Sequence, residues 1–200
     1  MKGSLIIIGF FALGVLLGYS ELFSLDLKSV PMTKYVLYLL MFSVGISLGS
    51  DKNIWKQLKG LNWRMWLLPL MTAIGTFTGC FVAWTILNGY SIPEYISVGS
   101  GFAYYSLSSI FLSELKGIEL GTIALLSNVM REIIALIFIP SIGKTFGPLS
   151  AISVGGATTF DTTLPIITQT VGKKYVVVSI FHGCILDFSV PFLVTFFGSI

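Results

Sequence analysis

Charge is what this sequence has least of. Only 10% of its 200 residues are Asp, Glu, Lys or Arg, against roughly 25% in a soluble domain. So few charges cannot cover a water-facing surface. With 54% hydrophobic residues and a mean hydropathy of +0.90, the chain reads as an all-α polytopic membrane protein. The net charge of +3 does not point to nucleic acid, because the basic residues fall mostly in short gaps between apolar runs. Two cysteines far apart in sequence, Cys80 and Cys184, exclude a disulfide framework and a thiolate metal site. No cofactor signature is present. Walker A, H-E-x-x-H and G-x-S-x-G patterns are all missing, which argues against an enzyme.

Long apolar runs are there in number. A spanning helix needs about 20 mainly apolar residues. Seven stretches approach that: 4–19, 35–49, 65–87, 95–114, 119–139, 149–170 and 175–200. The first resembles a signal peptide, but it lacks a convincing cleavage site and reads as a span. Gly45 and Gly49 let another helix approach closely. Trp55, Trp63 and Trp66 suit the membrane interface. If all seven stretches cross, Lys2, Lys52, Lys56, Lys59, Arg64, Lys116, Lys173 and Lys174 share one side, and Lys28, Lys34 and Lys144 the other. The bias places the N-terminus in the cytoplasm and the C-terminus outside. A re-entrant stretch would invert part of this assignment, but 95–114 and 149–170 are long enough to cross, and crossing is the expectation.

Two stretches do not read as plain spans. Residues 153–172 carry Gly155, Gly156, Thr158, Thr159, Thr162, Thr163, Asp161 and Pro165. Residues 97–117 likewise open Ser-Val-Gly, hold Gly99 and Gly101, and are rich in hydroxyls. Glycine and proline weaken the helix ladder, and hydroxyls re-satisfy the groups a break frees. Paired interrupted segments in one apolar chain point to a transporter's site near the bilayer midplane. The four glycines are read as the places where broken backbones approach each other.

Each ionisable group inside a span is a site candidate, because its burial in lipid is costly. Asn128, Arg131 and Glu132 follow i, i+3, i+4 spacing on one helix face. Either Arg131 and Glu132 form ion pairs that lock the bundle, or Glu132 binds a cation or proton that Arg131 tunes. Asp161 is a ligand, a proton carrier or a half-helix cap. His182 is a buried hydrogen-bonder or a proton relay. Asp187 ranks below these. Tyr104, Tyr105, Ser106, Ser108 and Ser109 line a pocket or glue helices together.

The blocks GSGFAYYSLSSI, NVMREIIALIFIP, GGATTFDTTLPII and VSIFHGCILDFSVPFLVTFF resemble the bacterial lysine exporter family LysO, over most of residues 5–197. The resemblance implies an inner-membrane secondary transporter exporting L-lysine and analogues such as thialysine, driven by protons. It also implies distant kinship with bile-acid/arsenite-type transporters, which have inverted repeats and crossed, broken helices. The family's intramembrane acids correspond to Glu132 and Asp161, and its His-Gly pair to His182 and Gly183. The family carries further spans before the region matching residue 5, so the chain reads as the larger part of a split exporter with a small companion membrane chain. Residues 1–143 would form a five-helix repeat, and 144–200 the last two spans. On this reading Glu132 and Asp161 alternate between substrate and proton. Thr158, Thr159, Thr162, Ser106 and half-helix N-termini are candidate contacts for the substrate. A Na+-coupled transporter of another solute and a non-transporting membrane subunit are the alternatives.

Overall fold

The computed structural model describes residues 63–87 and 89–200, with scattered helical positions between 13 and 50. The chain divides into two compact units, Met1–Ser47 and Leu48–Ile200. The expected spans 4–19 and 35–49 and most of the polar stretch between 50 and 63 lie outside the described residues. The described helices from residue 63 onward all belong to the second unit.

They are α1 (Trp63–Trp66), α2 (Leu68–Leu87), α3 (Ile92–Gly99), α4 (Tyr105–Lys116), α5 (Ile118–Phe146) and α6 (Pro148–Gly155). A 3-10 turn (Gly156–Phe160), α7 (Leu164–Val171), a second 3-10 turn (Lys173–Tyr175) and α8 (Val176–Ser199) complete the chain. No strand occurs among the described residues. Among the described residues, three helices are long and apolar enough to cross a membrane: α2, α5 and α8, the last with the 3-10 turn before it. All three present large apolar side chains outward, among them Ile74 and Phe81 on α2, Ile137 on α5 and Phe192 on α8. A helix that is apolar all round is a spanning or deeply buried one.

Both interrupted stretches break where the glycines are, but neither crosses. The hydroxyl of Tyr90, in the α2–α3 connection, donates to the Glu119 carboxylate in the first turn of α5 at 2.7 Å. The end of α2 and the start of α5 therefore share one face of the molecule. The chain between them, α3–α4, descends and returns. Gly99 lies against Cys80 and Thr76 midway along α2, Ser108 meets Asn128 midway along α5, and Gly121 near the start of α5 packs against Ser109 and Ser113. Gly117, at φ +98°, makes the one-residue turn from α4 into α5, a conformation that few other residues adopt.

The second stretch mirrors this from the opposite face. Pro148 begins α6 just after α5 ends, Ile152 and Ile167 join one core with Leu68, Ala135, Ile139 and Val178, and Thr170 returns to Gly143. Gly172 and Tyr175 then lead into α8. One half of this bundle is thus α2 plus an α3–α4 hairpin, and the other is α5 plus an α6–α7 hairpin. This corrects the expectation that 95–114 and 149–170 are spans. Half-helices of eight to twelve residues rise only about 12–18 Å, well short of a bilayer.

The fifth expected span also changes. The helix does not stop at 139 but runs through Pro140 to Phe146. One interior proline removes one ladder bond, and a packed membrane helix tolerates that.

The hairpins make a sidedness prediction. In a chain whose Cys80 and Cys184 are replaced, Lys116→Cys and Lys173→Cys are both exposed positions. A membrane-impermeant maleimide should label them from opposite sides. Labelling from the same side is what crossing segments require, and it would refute the hairpins.

Candidate functional site

The two hairpin tips touch at the middle of the bundle. The first tip, Ser100–Tyr104, places two successive non-glycine residues in left-handed geometry, Phe102 at φ +46° and Ala103 at φ +77°. Such a backbone costs of order 1–3 kcal/mol per residue and persists only where its surroundings hold it. Asn128 does the holding. Its Oδ1 accepts from the Ala103 N–H at 2.8 Å, and its Nδ2 donates to the Val98 carbonyl at 3.0 Å and to the Ala124 carbonyl at 2.9 Å. Gly101 packs directly on this amide, and a Cβ there would overlap it.

The second tip supplies the other clamp. The Ala157 N–H donates to the Phe102 carbonyl at 2.8 Å. Gly156, at φ +63° and ψ −136°, lies against the same carbonyl oxygen. Behind the contact, Thr158 donates to the Gly155 carbonyl at 2.8 Å and meets the Thr163 hydroxyl at 3.2 Å. Thr159 donates to the Gly156 and Ser179 carbonyls at 2.9 and 3.0 Å. His182, fully buried on α8, has Thr159 Oγ1 at 3.0 Å from Nδ1 and Thr72 Oγ1 at 2.9 Å from Nε2. Gly183 lets α8 lie against the Phe160 backbone. The hydroxyls of Thr158 and Thr159, expected to contact substrate, are thus occupied within the break, and His182 ties that break to α2.

Arg131 does not pair with a carboxylate among the described residues. Its Nη1 donates to the Thr76 hydroxyl at 3.1 Å, and its guanidinium sits 5.7 Å from the Phe102 ring centroid. The locking ion pair with Glu132 is therefore not formed. Adjacent helical residues point about 100° apart, and Glu132 does not line the cavities that Arg131 lines. The larger cavity, about 550 Å³, lies between α2, α3 and α5 and runs from Tyr90 and Glu94 down to Asn128 and Arg131. Glu94 at its mouth accepts from the Ser91 N–H and hydroxyl, which hold its carboxyl below the usual range. A second cavity of about 340 Å³, lined from α2 and α6 by Met71, Thr72, Gly75, Ser153 and Val154, also reaches Arg131 and Thr76.

Asp161 follows the 3-10 turn and is exposed, not buried as its apolar context suggests. Its Oδ1 accepts from the Thr162 N–H at 2.6 Å and from the Thr162 hydroxyl at 3.4 Å. It caps neither half-helix with its side chain. It lies close enough to Asp187 for the charges to act on each other, and Tyr104 feels both. Tyr105 and Ser106 are exposed at the start of α4. No described hydrogen bond joins Glu132 to Asp161. Sequence reasoning misses Thr76, although the Thr72/Thr76 spacing of four already marks a hydroxyl stripe on α2.

A family model described as "Lysine exporter LysO" matches residues 8–198. The chain belongs to the LysO lysine exporter family. A protein of Escherichia coli K12 named "Lysine exporter LysO" is 34% identical over 98% of this chain and 64% of its own length. A "Putative lysine exporter" of Haemophilus influenzae is 32% identical over 82% of this chain and 83% of its own. The chain thus spans just under two thirds of the E. coli relative. No solved structure matches it. The LysO match takes in both hairpins, all three spanning helices and the described contacts between the tips.

Proposed function

We propose that this chain is the larger part of an exporter of L-lysine or a similar cationic amino acid, coupled to proton entry across a bacterial inner membrane. The observation that carries the reading is the meeting of two opposed hairpin tips with a cavity on either side of Arg131. An alternating-access transporter needs a site that each face reaches in turn, and broken helices at mid-depth are where such sites are built. The names of the two relatives, a lysine exporter and a putative lysine exporter, support the substrate class.

In this proposal, α2–α3–α4 and α5–α6–α7 are an inverted pair of span-plus-hairpin units, dividing at Gly117 and not at residue 143. Two further spans, 4–19 and 35–49, precede them. Lys/Arg bias then places Lys2, Lys52, Lys56, Lys59, Arg64, Lys144, Lys173 and Lys174 inside, and Lys28, Lys34 and Lys116 outside. Eight against three survives the correction because Lys144 and Lys116 simply exchange sides. The N-terminus is cytoplasmic and the C-terminus outside.

Asp161, exposed at the second tip with Asp187 in electrostatic range, is the proton-exchanging acid. Glu132 is the second candidate acid.

The test is lysine efflux from preloaded cells lacking their own exporter. The chain is expressed alone and with any adjacent small membrane protein, each with and without Asp161→Asn. Efflux that needs both chains and falls at least tenfold on substitution supports the proposal. Efflux from this chain alone removes the companion and keeps the exporter. No lysine efflux with both proteins in the membrane sinks the substrate. Efflux that follows Na+ and ignores pH replaces the proton.

A further inference from the structure

The geometry points to Arg131 as the group that receives the carboxylate of the transported amino acid. This deepens the export proposal and rests on it. A guanidinium stays charged at any physiological pH, and within a spanning helix that charge is expensive unless something balances it. Among the described residues nothing negative does. One Nη1 contact to the Thr76 hydroxyl and the face of Phe102 use little of a fork with five N–H donors.

Arg131 is partly buried, and it lines both the 550 Å³ and the 340 Å³ cavity. Among the described residues, only Thr76 shares that double position. The neighbouring Asn128 amide cannot compete for a ligand, because it is committed to the first hairpin tip. A planar fork bordering two cavities at mid-depth fits a carboxylate bidentately.

Polarity along the larger cavity sets the orientation of an occupant. Glu94 lies near its mouth and Arg131 at its floor, with Ala83, Val98 and Leu120 between. The eleven helical steps of α2 from Thr76 to Leu87 put those ends about 16 Å apart. An amino acid with a cationic side chain would enter with its ammonium end toward Glu94 and its carboxylate toward Arg131. The aliphatic stem would lie against the apolar walls. This separates two tasks: Arg131 recognises the carboxylate, and the acids at and near the second tip handle positive charge.

The test compares three probes on the full chain in lipid nanodiscs, with its companion where one is needed for assembly. L-lysine and 6-aminohexanoate carry a carboxylate, and cadaverine does not. Wild-type protein should bind the two carboxylates more tightly than cadaverine. Arg131→Gln should weaken both on the order of 10- to 100-fold and leave cadaverine unchanged. Thr76→Val, a change of one hydroxyl to methyl, should do the same to a smaller degree, and it decides the matter if Arg131→Gln does not fold. Equal weakening of all three probes, or no weakening, overturns the assignment. Arg131-dependent binding of 6-aminohexanoate without binding of L-lysine keeps the carboxylate site and overturns the lysine reading. Binding of none of the probes overturns both.

Discussion

Gly156→Ala should abolish efflux and destabilise the protein by roughly 2–6 kcal/mol, the sum of a backbone penalty and an overpacking penalty. The two costs have separate origins. Gly156 occupies a φ/ψ combination that is nearly glycine-only, and its missing Cβ is where the Phe102 carbonyl oxygen sits. A methyl group there forces the tips apart and stretches the Ala157-to-Phe102 hydrogen bond. Gly172→Ala separates these costs. Gly172 has φ +92°, but nothing lies within 4 Å of its would-be Cβ, so that variant carries strain alone. Thermal unfolding of both purified variants in detergent, beside the efflux assay, reads the difference. If Gly156→Ala is no less stable than Gly172→Ala, the close approach of the tips is wrong.

Asn128→Leu should release the first tip. The substitution keeps approximate volume but orphans the Ala103 N–H and the Val98 carbonyl, each worth about 1–3 kcal/mol when left unpaired and buried. The left-handed Phe102–Ala103 turn then loses what offsets its strain. Hydrogen exchange across 99–105 should accelerate strongly, with 68–80 of α2 unchanged, and efflux should fall by an order of magnitude or more. Asn128→Asp should be milder, because its carboxylate still accepts from Ala103 and lies one turn from Arg131. Unchanged protection at 99–105 in Asn128→Leu would remove Asn128 from its role as the clamp.

Much of this architecture is legible in the sequence, and the failures have identifiable causes. Glycine and proline positions mark both breaks, because a broken ladder requires residues that tolerate it. Direction after a break carries no such mark. Residues 95–114 have the length of a span, and nothing local tells whether α4 continues or returns. The deciding contact joins two turns, Tyr90 to Glu119, and no window of sequence contains it. The apolar neighbours of Asp161 point to a place inside. The structure buries Thr158, Thr159 and Thr163 instead, whose hydroxyls bond to each other, to the break's own carbonyls and to α8, while the Asp161 carboxylate stays at the surface on Thr162. The spacing of Asn128 and Arg131 does put them on one face, lining one cavity. Glu132, one residue on, turns away from it, and adjacency in the chain says nothing of shared surroundings.

Among the described residues, Arg131 and Thr76 line both cavities, and their contact stands between them. If water fills both and each connects to its own face, the membrane voltage no longer falls evenly over some 30 Å. It falls across that thin partition. A charge moving a few ångströms there would sense nearly the whole field, about 2.3 kcal/mol per elementary charge for each 100 mV. A small local rearrangement of the tips would then draw on the full electrical driving force without any large excursion of the helices.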